Sequence, residues 1–196
     1  HWWINELSTD IKEAFYECMS NEKIKNMIGT LFDNSGYNII DIPDMNELYL
    51  ASNNQTKDVH SDQVFFIPHI DGPFFWVPFV SVFRCLVAIN ENTNITTCFP
   101  VTNQRFTLNK GDVLGFDFNR EIHFIEQTSI PKEPRITMKL HYCMYPKGFY
   151  YLGVACAKLN AWYNGLFRKL FLKTIQPKTL WDKLSSYSVV YGTHIF

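Results

Sequence analysis

The segment Phe65-Phe66-Ile67-Pro68-His69-Ile70-Asp71-Gly72-Pro73 carries an imidazole and a carboxylate two residues apart. On an extended strand, residues two apart face the same way, so His69 and Asp71 can point together into one pocket. One neutral imidazole and one carboxylate on a shared face are two-thirds of a common non-haem iron site. The best candidate for the third ligand is His123. It follows the strand-like run Gly111 to Phe118 and the short polar connection Asn119-Arg120-Glu121. Two His and one Asp on one side of a metal leave three positions open for cosubstrate, oxygen or water. Zinc is more often closed by a fourth protein ligand, or held by the two His of an HExxH helix, and that motif is absent.

Twelve residues beyond His123 stands Arg135, in Pro134-Arg135-Ile136-Thr137-Met138-Lys139-Leu140-His141. Alternation on a strand puts Arg135, Thr137, Lys139 and His141 on one face. An inward arginine inside a small β-shell needs an anion, because an unpaired buried cation is costly. A guanidinium fork with a hydroxyl two residues on can clamp a carboxylate. Lys139 on the same face and Arg84 in the apolar run Val80 to Ile89 compete for that role.

In this order, His69-x-Asp71, His123 and Arg135-x-Thr137 resemble the iron(II)- and 2-oxoglutarate-dependent dioxygenase superfamily. The resemblance covers roughly residues 60 to 145. It implies a double-stranded β-helix, a cupin-like form of jelly roll. It implies that His69, Asp71 and His123 hold Fe(II). It also implies that 2-oxoglutarate chelates the metal and sets its far carboxylate against Arg135, helped by Thr137. Reaction with O2 would yield succinate and CO2 and oxidise a substrate C–H bond, most often by hydroxylation. The aromatic run Phe74 to Phe79 follows the HxD directly, so Phe74 and Trp76 are candidate walls of a substrate pocket. Small molecules and peptides both remain open as substrates.

Two further readings stay in play. In the first, a metal-free jelly-roll module binds an anionic ligand through Arg135, with His69 and Asp71 purely structural. In the second, a cupin-like metalloenzyme does without 2-oxoglutarate. His60-Ser61-Asp62 is a rival HxD, but it sits in polar company rather than in a strand-like run.

Elements must bring these residues together. Spacings of three and four among Ile11, Phe15, Cys18, Ile24, Ile28 and Leu31 predict helix over 8–32, with Ser8, Thr9 and Asp10 offering cap oxygens and Asn34-Ser35-Gly36 ending it. A short strand is expected at 48–50. Seven more are expected near 64–70, 80–89, 95–99, 104–108, 112–118, 122–127 and 134–144, with a turn at Asn109-Lys110-Gly111-Asp112. This texture predicts a mainly β fold with flanking helices, not a parallel sheet. The expected organisation is one domain over 1–196. It comprises an N-terminal helical region (1–60), a jelly-roll core (61–146) and a C-terminal helical region (147–196).

The 150–174 segment predicts a helix whose apolar stripe, including Leu152, Ala155, Leu159, Trp162 and Leu166, packs on its own domain. Its basic residues leave peripheral membrane contact as the lesser reading. Pro177 ends it, and Trp181 to Leu184 can start one more turn.

Composition narrows the classes. Hydrophobic residues at 46% supply a core and exclude disorder, and a net charge of −1 argues against a nucleic-acid binder that works by bulk positive charge. No apolar run is long enough to span a membrane. The five scattered cysteines form no CxxC pair, which favours buried thiols in a reducing, intracellular compartment over a disulfide scaffold. Sequon-like tripeptides begin at Asn54 and Asn94. The chain opens at His1 rather than Met, as a processed or partial chain does, and a leader upstream stays open.

Overall fold

The computed structural model describes residues 2–32, 36–51, 65–91, 93–127 and 133–175. The rival pair His60 and Asp62, the Asn54 sequon and the turn at 181–184 lie outside these residues.

The centre of the fold is β9 (Arg135–Pro146), the longest strand. On one side it pairs along its length with β4 (Ser81–Ala88), which pairs in turn with β7 (Val113–Asp117). On the other side two shorter strands share it end to end. β2 (Tyr37–Asp41) takes 142–146, and β3 (Glu47–Ala51) takes 135–139. With β1 (Trp2–Trp3) beside β3, this makes a six-stranded antiparallel sheet. A second antiparallel sheet holds β5 (Ile95–Phe99), flanked by β6 (Gln104–Thr107) and β8 (Phe124–Gln127). The protein is therefore mainly β, with helices added.

Strand alternation sorts the large sheet into two unlike faces. Phe83, Cys85 and Val87 of β4 and Met138, Leu140, Tyr142 and Met144 of β9 turn one way and form a core with Phe15, Met19, Ile24 and Ile28. Those four come from α1 (Thr9–Met19) and α2 (Glu22–Gly29). Arg84 and Leu86, with Arg135, Thr137, Lys139 and His141, turn the other way. Between the sheets, Leu86, Leu114 and Phe116 meet Phe99 of β5 in an apolar cluster.

Three expectations need correction. The single helix over 8–32 is two helices, because Asn21 accepts a hydrogen bond from the Lys23 N–H at 2.9 Å and so caps a new start; asparagine serves better at a cap than inside a helix. No strand forms over the described part of 64–70. Pro68 removes a donor, Pro73 follows closely, and His69 alone pairs, in an isolated bridge with His123. β2, in a stretch read as mixed and polar, adds a strand that was not expected.

A further correction concerns α3 (Tyr150–Ile175). It packs on β9, but with the opposite face from the one its apolar spacing suggests. Gly153, Cys156, Ala157 and Asn160 are buried, while Leu159, Trp162 and Leu166 are exposed. Small residues decide this, because a β-carbon at Gly153 would lie 2.5 Å from the Tyr145 ring. Asn160 is held inside by bonds to the Cys156 carbonyl at 2.9 Å and to the Asn119 amide at 3.1 Å.

Candidate metal centre

The bridge that joins residue 69 to residue 123 is also what builds the site. His69 N–H donates to the His123 carbonyl and His123 N–H donates to the His69 carbonyl, both at 3.0 Å. Their rings lie side by side, with centroids 4.5 Å apart. Gly72 N–H then donates to the Phe118 carbonyl at 3.0 Å, fixing the turn that follows Asp71. No side chain fits at residue 72, since a β-carbon there would lie 2.2 Å from Asn119 Oδ1. Asp71 is thereby turned inward, and one ligand atom each from His69, Asp71 and His123 lies within 4.8 Å of the others.

The tautomers follow from the hydrogen bonds. His69 Nδ1 faces the Ile67 carbonyl at 2.8 Å and His123 Nδ1 faces the Glu121 carbonyl at 3.2 Å. A carbonyl only accepts, so each Nδ1 carries a proton, and in its neutral form each ring turns an Nε2 lone pair inward. These lone pairs face Asp71, at 3.7 Å from His69 to Oδ1 and 3.4 Å from His123 to Oδ2. Three electron-pair donors aimed at one point repel one another unless a cation or a proton lies between them. Burial pushes the His123 imidazole below its ordinary value, with Asp71 opposing, so a proton is poorly held there. The donor set thus fits a divalent metal.

Asp71 has one built-in cationic neighbour. Arg84 Nη1 donates to Asp71 Oδ2 at 2.6 Å, and Arg84 Nε donates to His141 Nε2 at 3.0 Å. His141 and its backbone N–H both turn to Asn46 Oδ1, at 3.4 and 2.9 Å. The Arg84 guanidinium also lies over the Phe118 ring, 4.7 Å from its centroid. Burial alone would raise the Asp71 carboxyl, but Arg84, His123 and His69 outweigh it and hold the group at about 2. Burial, followed by Arg84, pushes His141 well below the ordinary histidine range and keeps it a neutral acceptor.

Arg135 and Lys139 line the same cavity as the triad, together with Tyr49 and Phe65. Lys139 is ion-paired with Glu47. Arg135 is buried, and its Nε donates to Thr137 Oγ1 at 3.1 Å, the contact its i, i+2 spacing suggests. Burial lowers its affinity for its proton, and no carboxylate among the described residues pairs with it. The cavity therefore joins three inward electron-pair donors to a buried cation that meets no carboxylate among the described residues.

Phe74 and Trp76 do not line this cavity. Phe74 is half-buried against Tyr163, with ring centroids 5.4 Å apart, and Trp76 is 64% exposed. Arg84, His141 and Asn46 are the contributors that sequence reasoning missed in this role. The available signal was a lone arginine in the apolar strand Val80 to Ile89, since a buried cation requires a partner.

Comparison with protein-family models, with curated proteins and with solved structures gives no match. What the chain does is thus read from its own geometry.

Proposed function

We propose that the protein is an Fe(II)- and 2-oxoglutarate-dependent oxygenase, built on a jelly roll, that hydroxylates a small-molecule or peptide substrate. The observation that carries this reading is the single cavity shared by the His69/Asp71/His123 group and Arg135, a guanidinium that no carboxylate among the described residues pairs. A metal bound by the triad keeps coordination positions free, and an α-keto acid supplies both a chelating end and a distal carboxylate. When bound, the iron would activate O2 as the oxidant, with 2-oxoglutarate oxidised and decarboxylated in the same reaction, so that one oxygen atom would enter succinate, released with CO2, and the other the substrate C–H bond. The chain's own groups position and shield. His69 and His123 offer Nε2 with Nδ1 tied to the backbone. Arg84 turns the Asp71 carboxylate and disperses part of its charge. Thr137 holds the guanidinium of Arg135 so that its remaining N–H groups face the anion. Phe116, tilted against His123 with centroids 4.5 Å apart, keeps that ring from turning and excludes water.

Anaerobic titration with Fe(II) and 2-oxoglutarate tests the reading. A weak visible charge-transfer band is expected only with both present. It should be absent in His69→Ala, and in Arg135→Ala it should need at least about tenfold more 2-oxoglutarate. Neither a band nor succinate formation in the wild type would overturn the proposal.

A second reading has one observation in its favour. Arg84 already satisfies an oxygen of Asp71, as it would in a metal-free module that binds an anion at Arg135. That module would bind 2-oxoglutarate equally well with and without metal, whereas the oxygenase binds it more tightly with metal.

A further inference from the structure

Helix α3 faces solvent with its apolar side. Tyr151, Leu159, Trp162 and Leu166, with Ala155 between, fall at successive three- and four-residue steps and are exposed. The exposed set continues onto the loop after the HxD. Trp76 packs on Phe74, Phe74 on Tyr163 and Tyr163 on Phe167, at centroid distances of 6.4, 5.4 and 4.5 Å. In that loop Phe75, Trp76 and Phe79 are 61%, 64% and 69% exposed.

The loop is held in this shape. The Arg120 guanidinium donates to the carbonyls of Phe75, Val77 and Val80, at 3.3, 2.6 and 3.1 Å. Phe79 sits at φ 63°, a left-handed conformation that is unfavourable for a bulky residue. The fold thus tolerates strain and uses an internal arginine cage where the outcome is a row of aromatic rings in water.

Charge says what these rings meet. From Pro146 to Trp181 the chain has six Lys or Arg and no Asp or Glu, although the whole chain has a net charge of −1. A second copy docked by the same face would bring two segments of like charge together. Aromatic rings beside the exposed Lys158, in a segment without acidic residues, suit the headgroup level of an anionic bilayer, where rings enter the interface and lysines meet phosphate. No helix among the described residues is long and apolar enough to cross a membrane, in keeping with a helix that lies flat.

We infer that the exposed face of α3, together with the Phe75–Phe79 loop, docks the protein on the surface of an anionic membrane. The residues of this surface do not line the cavity of the triad, and the inference stands or falls independently of the oxygenase reading.

Vesicle flotation of the full chain tests it, with phosphatidylcholine alone and with about one-third phosphatidylserine added. Binding is expected only with phosphatidylserine, with a blue shift of tryptophan emission and release by high salt. Trp162→Ser/Leu166→Ser should weaken it by about tenfold or more, with an unchanged far-UV spectrum. Phe79→Gly separates docking from folding, since it removes a ring while relieving the left-handed strain. Its vesicle binding should fall several-fold, and its melting temperature should hold or rise. No binding, equal binding to phosphatidylcholine alone, or full binding by the double variant would overturn the inference. So would a solution dimer that the double variant dissolves, which would assign the face to a second copy.

Discussion

Arg84 is the residue on which the chemistry of Asp71 turns. It sits between a neutral histidine and a carboxylate, and all three are largely buried. Removing it leaves Asp71 without its nearest cation, and loss of one partner from a buried pair costs about 3–5 kcal/mol. Arg84→Ala is therefore expected to unfold at a lower denaturant concentration when metal-free. A divalent cation at the triad replaces the missing positive charge, so Mn(II) should raise the melting temperature of Arg84→Ala by more than it raises that of the wild type. Equal shifts would show that the two cations do not serve the same carboxylate. Gly72 supplies a second residue-scale test. A methyl group there meets Asn119 Oδ1 and the Phe118 ring, at 2.2 and 2.5 Å from the β-carbon. Gly72→Ala should cost about 1–3 kcal/mol by overpacking. It should also weaken Mn(II) binding measured by calorimetry, because Asp71 moves with the turn.

At the scale of elements, β9 carries two functions by alternation. Met138, Leu140, Tyr142 and Met144 pack under the helices, while Arg135, Thr137, Lys139 and His141 share the other face; Arg135 and Lys139 line the cavity, and all four are as buried as core residues while remaining polar. His141 gives this arrangement a pH dependence. Its proton affinity is lower in the folded chain than in the unfolded one, where the ordinary value is about 6.5. The unfolded state therefore binds the proton first as pH falls. The stability that His141 contributes is complete above about pH 6.5 and drains away below it, down to the depressed folded value. Urea unfolding from pH 8 to 5 should show this loss, and His141→Gln should flatten the slope across that window. The Arg-x-Thr contact was legible in the sequence because a two-residue spacing on a strand fixes it locally, whereas His69 and Asp71 converge through the bridge to His123 and the turn at Gly72. The partners of Arg84 were not legible, since His141 lies 57 residues away and meets it only through the β4–β9 register. The exposed face of α3 was misread for a related reason. Apolar spacing shows which side of a helix is greasy, whereas small residues such as Gly153 and Ala157 decide which side approaches a strand closely.

Over the whole molecule, the large sheet separates the helix-covered core from the face that carries the candidate metal site. The helices α1 and α2 cover one face, with Phe15 and Ile28 fully buried, and the cavity opens on the other. Phe15→Ala should lower stability by about 3–5 kcal/mol, the usual cost of deleting a buried phenylalanine. Its metal affinity, measured well below the unfolding transition, should match the wild type. The mainly β class was readable from the spacing of short strand-like runs. The strands of the second sheet were also expected, but the pairing order within each sheet and the shared pairing of β2 and β3 along β9 were not, because pairings between distant segments leave no local pattern.

The central claim is that His69, Asp71 and His123 hold one metal ion beside Arg135. The most direct measurement is an anomalous-difference map from crystals grown anaerobically with Mn(II), standing in for Fe(II), and 2-oxoglutarate. The account predicts one strong peak within bonding distance of both Nε2 atoms and an Asp71 oxygen, with the distal carboxylate of 2-oxoglutarate on Arg135. A map with no peak at the triad, and with Arg84 still closed on Asp71, would contradict it.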